Sequence, residues 1–476
     1  MTKIVLRGDG LFCGNDLVSN FMVPEVSPLY SAQDLKNLVG IELKVQAPDG
    51  VHPVFANIKL SITSQILTAV PSCRLIDTGA ADLVDAYLIE QASQAGGKRV
   101  LCNEFGLQRL YNGRWVFIAG DEILGDCGTT DAVISDGVSK VRLAWNRETN
   151  ERRAICRLLK AIEVNQWTVW PVFMHFLLSS LRSQVFGTGL TTFPVLYLVG
   201  LQNSGKTWLA EHYSLLYDNK ETGIVYGNLD ASSTDKGIFY AASNYKDMVI
   251  AVDDLPKASA MSVQRERLEA IEKSIRFIAN GTMRETASRS ATAASQRCQA
   301  GGVYTGEIPL RAASMLTRML EVPLAPHKKV GRNSDRADAA TAFRWWMLWL
   351  LPHLDEELAA LKKRVAESSG GENARLETTK TLFLWVVELF YRAAFEQNFI
   401  EEAYYQGALD NANKVFSSLL AKQAEKVARI QDEPPRGGNV LKKLKGSDEE
   451  RKKGERKGRK GNGNEDINNK MSALRE

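Results

Sequence analysis

The sequence predicts an α/β protein with a mainly β amino-terminal domain and a helical carboxyl-terminal region. Three observations support this prediction. Short apolar or alternating runs separated by glycine turns fill residues 1–150 and indicate strands. Apolar runs at 195–199 and 248–252 are typical of buried parallel strands, and helical patterns follow both. From about residue 333 the apolar residues recur at helical spacing.

These changes in pattern divide the chain into five predicted parts. They are a β-rich domain (1–150), a helical connector (151–190), an α/β core (191–332), a helical domain (333–432) and a basic disordered tail (433–476). The first domain is predicted to hold one helix and several strands: Ala81–Ala92, and Ile41–Val45, Val54–Ile62, Arg99–Cys102, Arg114–Ile118 and Val141–Trp145. It shows no catalytic constellation, so we expect a solvated surface, with oligomer contacts or partner docking as alternatives.

Composition favours a soluble protein of the cytoplasm. Of 476 residues, 44% are hydrophobic and 24% charged, an ordinary globular balance. The six cysteines are scattered, which favours reduced thiols over disulfides or a zinc site. The amino terminus has no apolar signal-peptide core. The apolar helix predicted at Trp170–Leu181 is interpreted as core, with a membrane role as the alternative, and no membrane partner is expected.

The formal charge of +4 is concentrated in the tail. Residues 433–476 contain 13 Lys/Arg against 8 Asp/Glu, so the rest of the chain is close to neutral. With few apolar residues, this tail cannot form a core and is predicted to be disordered. Two interpretations remain open: a solubilising or nuclear-localisation-like charge run, or salt-sensitive, non-specific contact with nucleic acid.

A phosphate-binding motif follows the run Val195–Val199. Gly200–Thr207, GLQNSGKT, fits G-x-x-x-x-G-K-[ST], whose backbone N–H groups can surround nucleotide phosphates. Lys206 would reach the β- and γ-phosphates, Thr207 would bind Mg²⁺, and a helix from about Trp208 would direct its positive end at the phosphates. A P-loop NTPase core with ATP and Mg²⁺ is predicted. The predicted nucleotide contacts are Gly200, Gln202, Asn203, Ser204, Gly205, Lys206, Thr207 and Trp208.

A second motif ends the apolar run that starts after Asp247. Asp253 is predicted to hold Mg²⁺ through water, and Asp254 to orient or deprotonate the attacking water. The alternative is an acidic turn at the end of a strand. Between the two motifs, Gly223–Tyr226 is the candidate second strand and Thr234–Ala242 a predicted helix.

Arginines dominate the next segment. After a predicted helix at Gln264–Ala279, the stretch Asn280–Cys298 has almost no apolar content, so it should be an exposed hairpin or loop. Its Ser, Thr and Arg residues suit contact with a phosphate backbone. The predicted DNA-binding residues are Arg284, Arg289 and Arg297.

A further core strand is predicted at Gly301–Pro309. An arginine beyond it, Arg311 or Arg318, could enter a neighbouring subunit's ATP site as an arginine finger. Arg318 is the preferred candidate. Either arginine could equally cap a helix or pair with surface acids.

The order of these motifs resembles the family called domain of unknown function 927, related to superfamily 3-like helicases of phages, plasmids and integrative elements. The resemblance rests on the phosphate loop, the Asp-Asp strand, ANG followed by an arginine, TGEIPL, RMLEVP and, upstream, GLQRLYNGRWVFIAGDEILG. It spans roughly residues 80–330. It implies an AAA+-like core, a hexameric ring and ATP-driven DNA translocation in a bacterial host cell.

By position, the resemblance assigns the loop residues, Asp253, Asp254, Arg284 and Arg318 their family roles. Two differences from the family's motifs weaken this assignment of roles. The second carboxylate is Asp254 where Glu is usual, and NGTMRE lacks the commoner Gly-Lys before its arginine.

Two classes of function remain open. The first is an ATP-dependent helicase or translocase that replicates a mobile genetic element and moves single-stranded DNA, or opens forked DNA, through a basic central pore. Its primase would be on another chain, since residues 1–150 show no primase carboxylate set. The second is a non-helicase AAA+ protein remodeller or defence switch. The Ser/Thr/Arg character of the loop favours DNA. A small-molecule kinase is a weaker third.

Overall fold

The structure is a computed structural model that describes residues 4–7, 10–96, 99–128, 131–230, 233, 235–255, 261–281, 297–325, 334–368, 370 and 373–432. Within these ranges the side chains of residues 235, 254–255 and 261–266 are not described. Met1–Ala424 is one compact unit, and of a second unit that starts at Glu425, residues 425–432 are described as the end of a helix.

The described residues of the amino-terminal region form three small sheets. Their strand orders are β1-β2-β3, β11-β7-β4-β5-β6 and β10-β9-β8. The strands are β1 (Ile4–Arg7), β2 (Gly10–Cys13), β3 (Asp16–Leu17), β4 (Met22–Ser31), β5 (Leu38–Ala47), β6 (Gly50–Asn57), β7 (Arg99–Cys102), β8 (Gly106–Arg109), β9 (Trp115–Ile118), β10 (Ile123–Leu124), β11 (Asp131–Ile134) and β12 (Val141–Leu143).

Helices in this region are α1 (Ile62–Ala69), α2 (Ala81–Gln94) and α3 (Asp136–Ser139), with a 3₁₀ turn at Thr78–Ala80. The predicted strand over Val54–Ile62 was wrong in its second half. The Ser61 hydroxyl accepts a hydrogen bond from the Ser64 N–H and caps α1, so the chain turns helical at Ile62.

A helical connector leads into the core: α4 (Glu151–Val164), α5 (Val169–Ser179) and α6 (Arg182–Val185), with a 3₁₀ turn at Phe186–Thr188. The Asn150 side chain accepts from the Arg153 N–H and caps α4. Every residue of α5 is buried, as the core interpretation of this apolar helix predicted. No helix in the described part of the chain has the length and apolarity that a membrane span needs.

The central sheet has five parallel strands in the order β15-β16-β17-β13-β18. Its strands are β13 (Val195–Val199), β15 (Asn228–Asp230), β16 (Val249–Leu255), β17 (Gly301–Gly306) and β18 (Met319–Pro323). Its helices are α7 (Lys206–Tyr213), α8 (Asp235–Asn244), α9 (Met261–Asn280) and α10 (Ala313–Leu316), while β14 (Tyr217–Asn219) pairs with β12. This mixed α/β architecture with a parallel sheet confirms the predicted class.

Two strands of this sheet differ from the prediction. The second strand is Asn228–Asp230, and the prediction of Gly223–Tyr226 was wrong because that segment follows β14 in a turn, with Val225 bridged to Asp218. The sequence interpretation also missed β18, which pairs with β13 along its whole length.

Glycines let helices approach both faces of β17. A Cβ at Gly301 would lie 2.0 Å from Ser179 Oγ of α5, and one at Gly302 would lie 3.0 Å from Ile278 Cδ1 of α9. These helices therefore pack on opposite faces of the sheet, which matches the side-chain alternation of a strand.

The carboxyl-terminal region is helical, with α11 (Arg336–Leu350), a 3₁₀ turn at Leu351–His353, α12 (Leu354–Ser368), α13 (Ala374–Glu396) and α14 (Glu402–Asp432). Trp345 and Trp346 of α11 are buried in this helical region. Gln423 of α14 accepts from the Glu321 N–H (3.0 Å) and donates to the Met319 carbonyl (2.6 Å). These bonds pair backbone groups along the outer side of the edge strand β18.

Candidate nucleotide site and the arginine edge

The phosphate-binding motif forms a tight loop between β13 and α7. Asn203 (φ 62°) and Gly205 (φ 86°) adopt left-handed conformations that let the backbone curl before the helix begins at Lys206. A Cβ at Gly200 would lie 2.6 Å from Ser204 Oγ and 2.9 Å from the Leu324 carbonyl. Only glycine fits this position without displacing its neighbours.

Lys206 lies over the loop and is buried, with 8% of its surface exposed. Its ammonium group donates to the carbonyls of Gly200 (2.9 Å) and Leu201 (3.0 Å). The positive charge is therefore held at the loop and at the amino-terminal end of α7, two features that favour anions.

A polar cluster joins three neighbouring strands at the edge of the sheet where the parallel strands end, called here the carboxyl edge. Thr207 Oγ1 lies 3.0 Å from both carboxylate oxygens of Asp253, which is on β16. Thr305 Oγ1, on β17 between β13 and β16, donates to Asp253 Oδ1 at 2.5 Å. The two sequence motifs are thus brought into direct contact.

This oxygen set suits Mg²⁺, which typically takes one or two carboxylates, keeps several waters and shares substrate phosphates. No group of three or more His, Cys, Asp or Glu that could hold a metal occurs among the described residues. A Mg²⁺ ion at Thr207 and Asp253 would take its remaining ligands from water and phosphate oxygens.

The other residues predicted to contact the nucleotide or the attacking water differ in their burial and packing. Gln202 and Asn203 are exposed, whereas Ser204 is buried. The Trp208 ring stacks on His212 with centroids 4.2 Å apart, so this indole packs within α7 itself. The Asp254 backbone belongs to β16, and its side chain lies outside the described residues.

Arg318 lies at the opposite end of the sheet, called here the amino edge. Its carbonyl accepts from the Val195 N–H (3.0 Å), which marks the start of β13 and β18. Its guanidinium donates to Asn280 Oδ1 (3.1 Å) and to the Ser314 carbonyl (2.5 Å). Burial lowers the pKa of Arg318, and the nearby charges of Arg375 and Arg276 lower it further.

The predicted DNA-binding segment begins and ends at this amino edge. The Cys298 N–H donates to the Gly281 carbonyl at 3.0 Å, so the chain leaves and returns at adjacent points. Arg284 and Arg289 lie outside the described residues, while Arg297 is described and exposed. The other finger candidate, Arg311, is exposed as well.

Asp247 is a buried carboxylate whose connecting role the sequence interpretation missed. It is fully buried in a left-handed conformation (φ 55°) just before β16. Its carboxylate accepts from the N–H groups of Leu107 (3.0 Å) and Ser183 (2.6 Å) and from the Ser183 hydroxyl (2.7 Å). One side chain thereby connects the amino-terminal region, the connector and the core.

Thr305 lies in the strand predicted at Gly301–Pro309, and the sequence alone gave it no role in the site. A threonine at that position is common on any strand, and only the pairing of β17 between β16 and β13 places it on Asp253. The sequence offered one signal for this role of Thr305: a hydroxyl near the end of a core strand, beside a strand that carries an aspartate.

Comparison with known proteins identifies related folds. No family model matches this chain, and no curated protein matches it. A solved structure titled "SCCmec type IV Cch - active helicase" matches over 90% of this chain and 79% of that chain, with a TM-score of 0.54 and 11% identity. At this identity the match shows a shared fold, and the resemblance to the domain 927 family stays a prediction.

Two structures titled as JCV helicase with a bound small molecule also match, at 12% and 13% identity. Each covers 59% of this chain and 74% of that chain, with a TM-score of 0.21. These values are too low to support an argument about this chain.

Proposed function

We propose that this chain is an ATP-driven DNA helicase or translocase. It would act as a hexameric ring in the replication of a mobile genetic element and move single-stranded DNA through a basic central pore. The observation that carries the proposal is the contact of Thr207 with Asp253 beside Lys206 at one edge of a parallel sheet. The shared fold with a protein titled an active helicase supports it.

In this proposal, loop N–H groups and Lys206 bind the triphosphate of ATP, and Thr207 and Asp253 hold Mg²⁺. The metal would neutralise charge on the phosphate oxygens during phosphoryl transfer. Thr305 orients the Asp253 carboxylate through its short hydrogen bond. Asp254 would orient or deprotonate the attacking water, a role assigned from its position in the sequence.

The arginine finger would act between subunits. Arg318 and the phosphate loop lie at opposite edges of the same sheet, so Arg318 cannot reach the loop of its own chain. In a ring, the amino edge of one subunit would face the carboxyl edge of the next. Arg318 also contacts Asn280, where the arginine segment 280–298 begins. ATP hydrolysis at the neighbouring subunit's site that Arg318 enters would therefore move that segment.

The decisive experiment measures ATP hydrolysis with and without single-stranded DNA at several salt concentrations. We expect stimulation by DNA that weakens as salt rises, because phosphate contacts release counterions. Replacing Arg284, Arg289 and Arg297 together with Ala should keep basal hydrolysis and remove at least about 80% of the stimulation, since sequence-independent binding depends on such charges.

The matched control removes the same charge from the exposed residues Lys36, Lys59 and Arg74 of the amino-terminal region and should retain stimulation. Hydrolysis by wild type that ignores DNA would favour the remodeller or switch over the helicase. Unchanged stimulation in the triple-arginine variant would remove this segment from the DNA path.

A further inference from the structure

A small cleft opens beside the phosphate loop. It has a volume of about 70 Å³ and lies between the turn that joins α4 to α5 and the chain that leaves β18. Ligand pockets usually measure about 300 Å³ or more, so this cleft can hold only one part of a ligand. Its lining residues are Val164, Asn165, Gln166, Trp167, Thr168, Ser204, Leu324 and Ala325.

Ser204 brings an unsatisfied polar group to this cleft. Its side chain is buried, with 5% of the residue exposed, and its hydroxyl has no hydrogen-bond partner among the described residues. A buried hydroxyl without a partner costs free energy, so such groups are uncommon in folded proteins. A ligand that enters the cleft could pair with it.

Trp167 supplies an aromatic surface at the rim. It is 45% exposed, which is unusual for an indole, and Lys422 Nζ lies 5.9 Å from its ring centroid. Exposed tryptophans offer flat apolar rings on which heterocyclic bases stack.

The position of the cleft along the carboxyl edge of the sheet indicates which part of a nucleotide would bind in it. Asp253 belongs to β16, the phosphate loop follows β13, and Leu324 follows β18. With strands about 4.8 Å apart, the order β16-β17-β13-β18 separates the Asp253 end from the cleft by about 14 Å. A nucleoside triphosphate whose terminal phosphate lies at Asp253 therefore has its base at the β18 side.

We propose that this cleft binds the purine base of the nucleoside triphosphate, with the base stacked on Trp167 and hydrogen-bonded to Ser204. The inference rests on the proposed function, because the phosphates of the same molecule must occupy the Gly200–Thr207 loop. The cleft holds one edge of the base, and the exposed indole covers one of its faces. The bound nucleotide would thus contact the chain from Thr207 and Asp253 to the turn between α4 and α5.

The test is calorimetric titration of the full chain with Mg-ATP and, separately, with inorganic tripolyphosphate, which has no base. Trp167→Ala should weaken ATP binding by about tenfold, the usual scale of a lost base stack, and leave tripolyphosphate binding unchanged. Trp167→Phe should keep most of the affinity. Ser204→Ala should weaken ATP binding several-fold without lowering the melting temperature, because it removes an unpaired buried hydroxyl.

The matched control is Tyr111→Ala, an aromatic residue of similar exposure in the amino-terminal region, which should not affect either ligand. Equal loss of ATP and tripolyphosphate binding in Trp167→Ala would overturn the base site, because the indole would then act on the loop. Unchanged ATP binding would overturn it too. A wild-type chain that binds neither ligand would instead refute the proposed function itself.

Discussion

The two edges of the central sheet differ in how their functional residues are held. At the carboxyl edge, Lys206 donates hydrogen bonds of 2.9 and 3.0 Å to carbonyls of the loop. Thr207 Oγ1 lies 3.0 Å from both carboxylate oxygens of Asp253. At the amino edge, Arg318 contacts Asn280 and Ser314, and the adjoining arginine segment closes on Gly281 and Cys298. The carboxyl edge thus gathers an ammonium group, a hydroxyl and a carboxylate close to one loop, while the amino edge holds a half-buried guanidinium on neighbouring oxygens.

This difference indicates a division of labour. A parallel sheet places ligand sites at the carboxyl ends of its strands. At the amino edge of this sheet, by contrast, Asp247 connects the core to Leu107 and Ser183. If the chain assembles as proposed, the five strands that connect the two edges would carry a change at one subunit's nucleotide to the next subunit through Arg318.

The largest expected effect is that of Arg318→Ala. If Arg318 completes the site of a neighbour, hydrolysis should fall about 10³-fold, the lower range for an arginine finger, while ATP binding is retained. Steady-state hydrolysis and calorimetric binding would check this. Mixing Arg318→Ala with Lys206→Ala subunits should restore part of the activity, since a mixed ring contains some complete sites.

Arg311→Ala is the companion variant and should hydrolyse ATP at the wild-type rate. A reversed outcome, with loss in Arg311→Ala alone, would transfer the finger role to Arg311. Wild-type hydrolysis in both variants would show that neither arginine acts in a neighbouring site.

Lys206→Ala tests the carboxyl edge by itself. Removing the ammonium group should reduce hydrolysis by about 10²–10³-fold, because a preorganised positive charge next to the phosphates is lost. ATP binding should weaken as well, in contrast to Arg318→Ala. Lys44→Ala, which removes an exposed ammonium in the amino-terminal region, serves as the control. DNA unwinding that survives Lys206→Ala would refute the assignment of this loop.

The smallest expected effect concerns Asp247, near the amino edge. Burial raises the pKa of this carboxyl to about 6, above its ordinary value of 3.8. The folded chain therefore holds this proton more tightly, and the stabilisation is complete below about pH 4 and lost as the pH rises through about 6. Relative to Asp247→Asn, the free energy of unfolding of wild type should fall by about 3 kcal/mol from pH 4 to pH 7.

Urea unfolding of the two proteins across this pH range would measure the effect. Asp247→Asn also leaves one N–H donor without its acceptor, but that cost does not depend on pH, so only the slope is diagnostic. Parallel slopes would show that Asp247 stays ionised throughout, held by the donors of Leu107 and Ser183.

Local patterns in the sequence were sufficient for some features of this fold. The apolar helix α5, the strand Val195–Val199 and the helices after residue 335 follow from apolar runs or from helical spacing of apolar residues. Such patterns depend on residues within one or two helical turns or along one strand. The Gly200–Thr207 pattern predicted a tight turn for a similar reason, since Gly205 needs a left-handed backbone there.

Strand placement was less predictable. Asn228–Asp230 and Met319–Pro323 are short, and each is a strand because of a neighbour distant in sequence. Their own residues carry no clear alternation, and Gln423, about a hundred residues further on, pairs backbone groups on the outer side of β18. Propensity within a segment does not contain that information.

By itself the sequence determined the class of the fold, most of the helices and the tight turn at Gly200–Thr207, because each depends on interactions between residues close along the chain. Only the tertiary structure decided that Thr305 would hold Asp253, that Asp247 would join three regions, and that Arg318 would lie across the sheet from the loop. Those contacts arise from the order in which distant strands pair, and that order is set by burying the whole core at once.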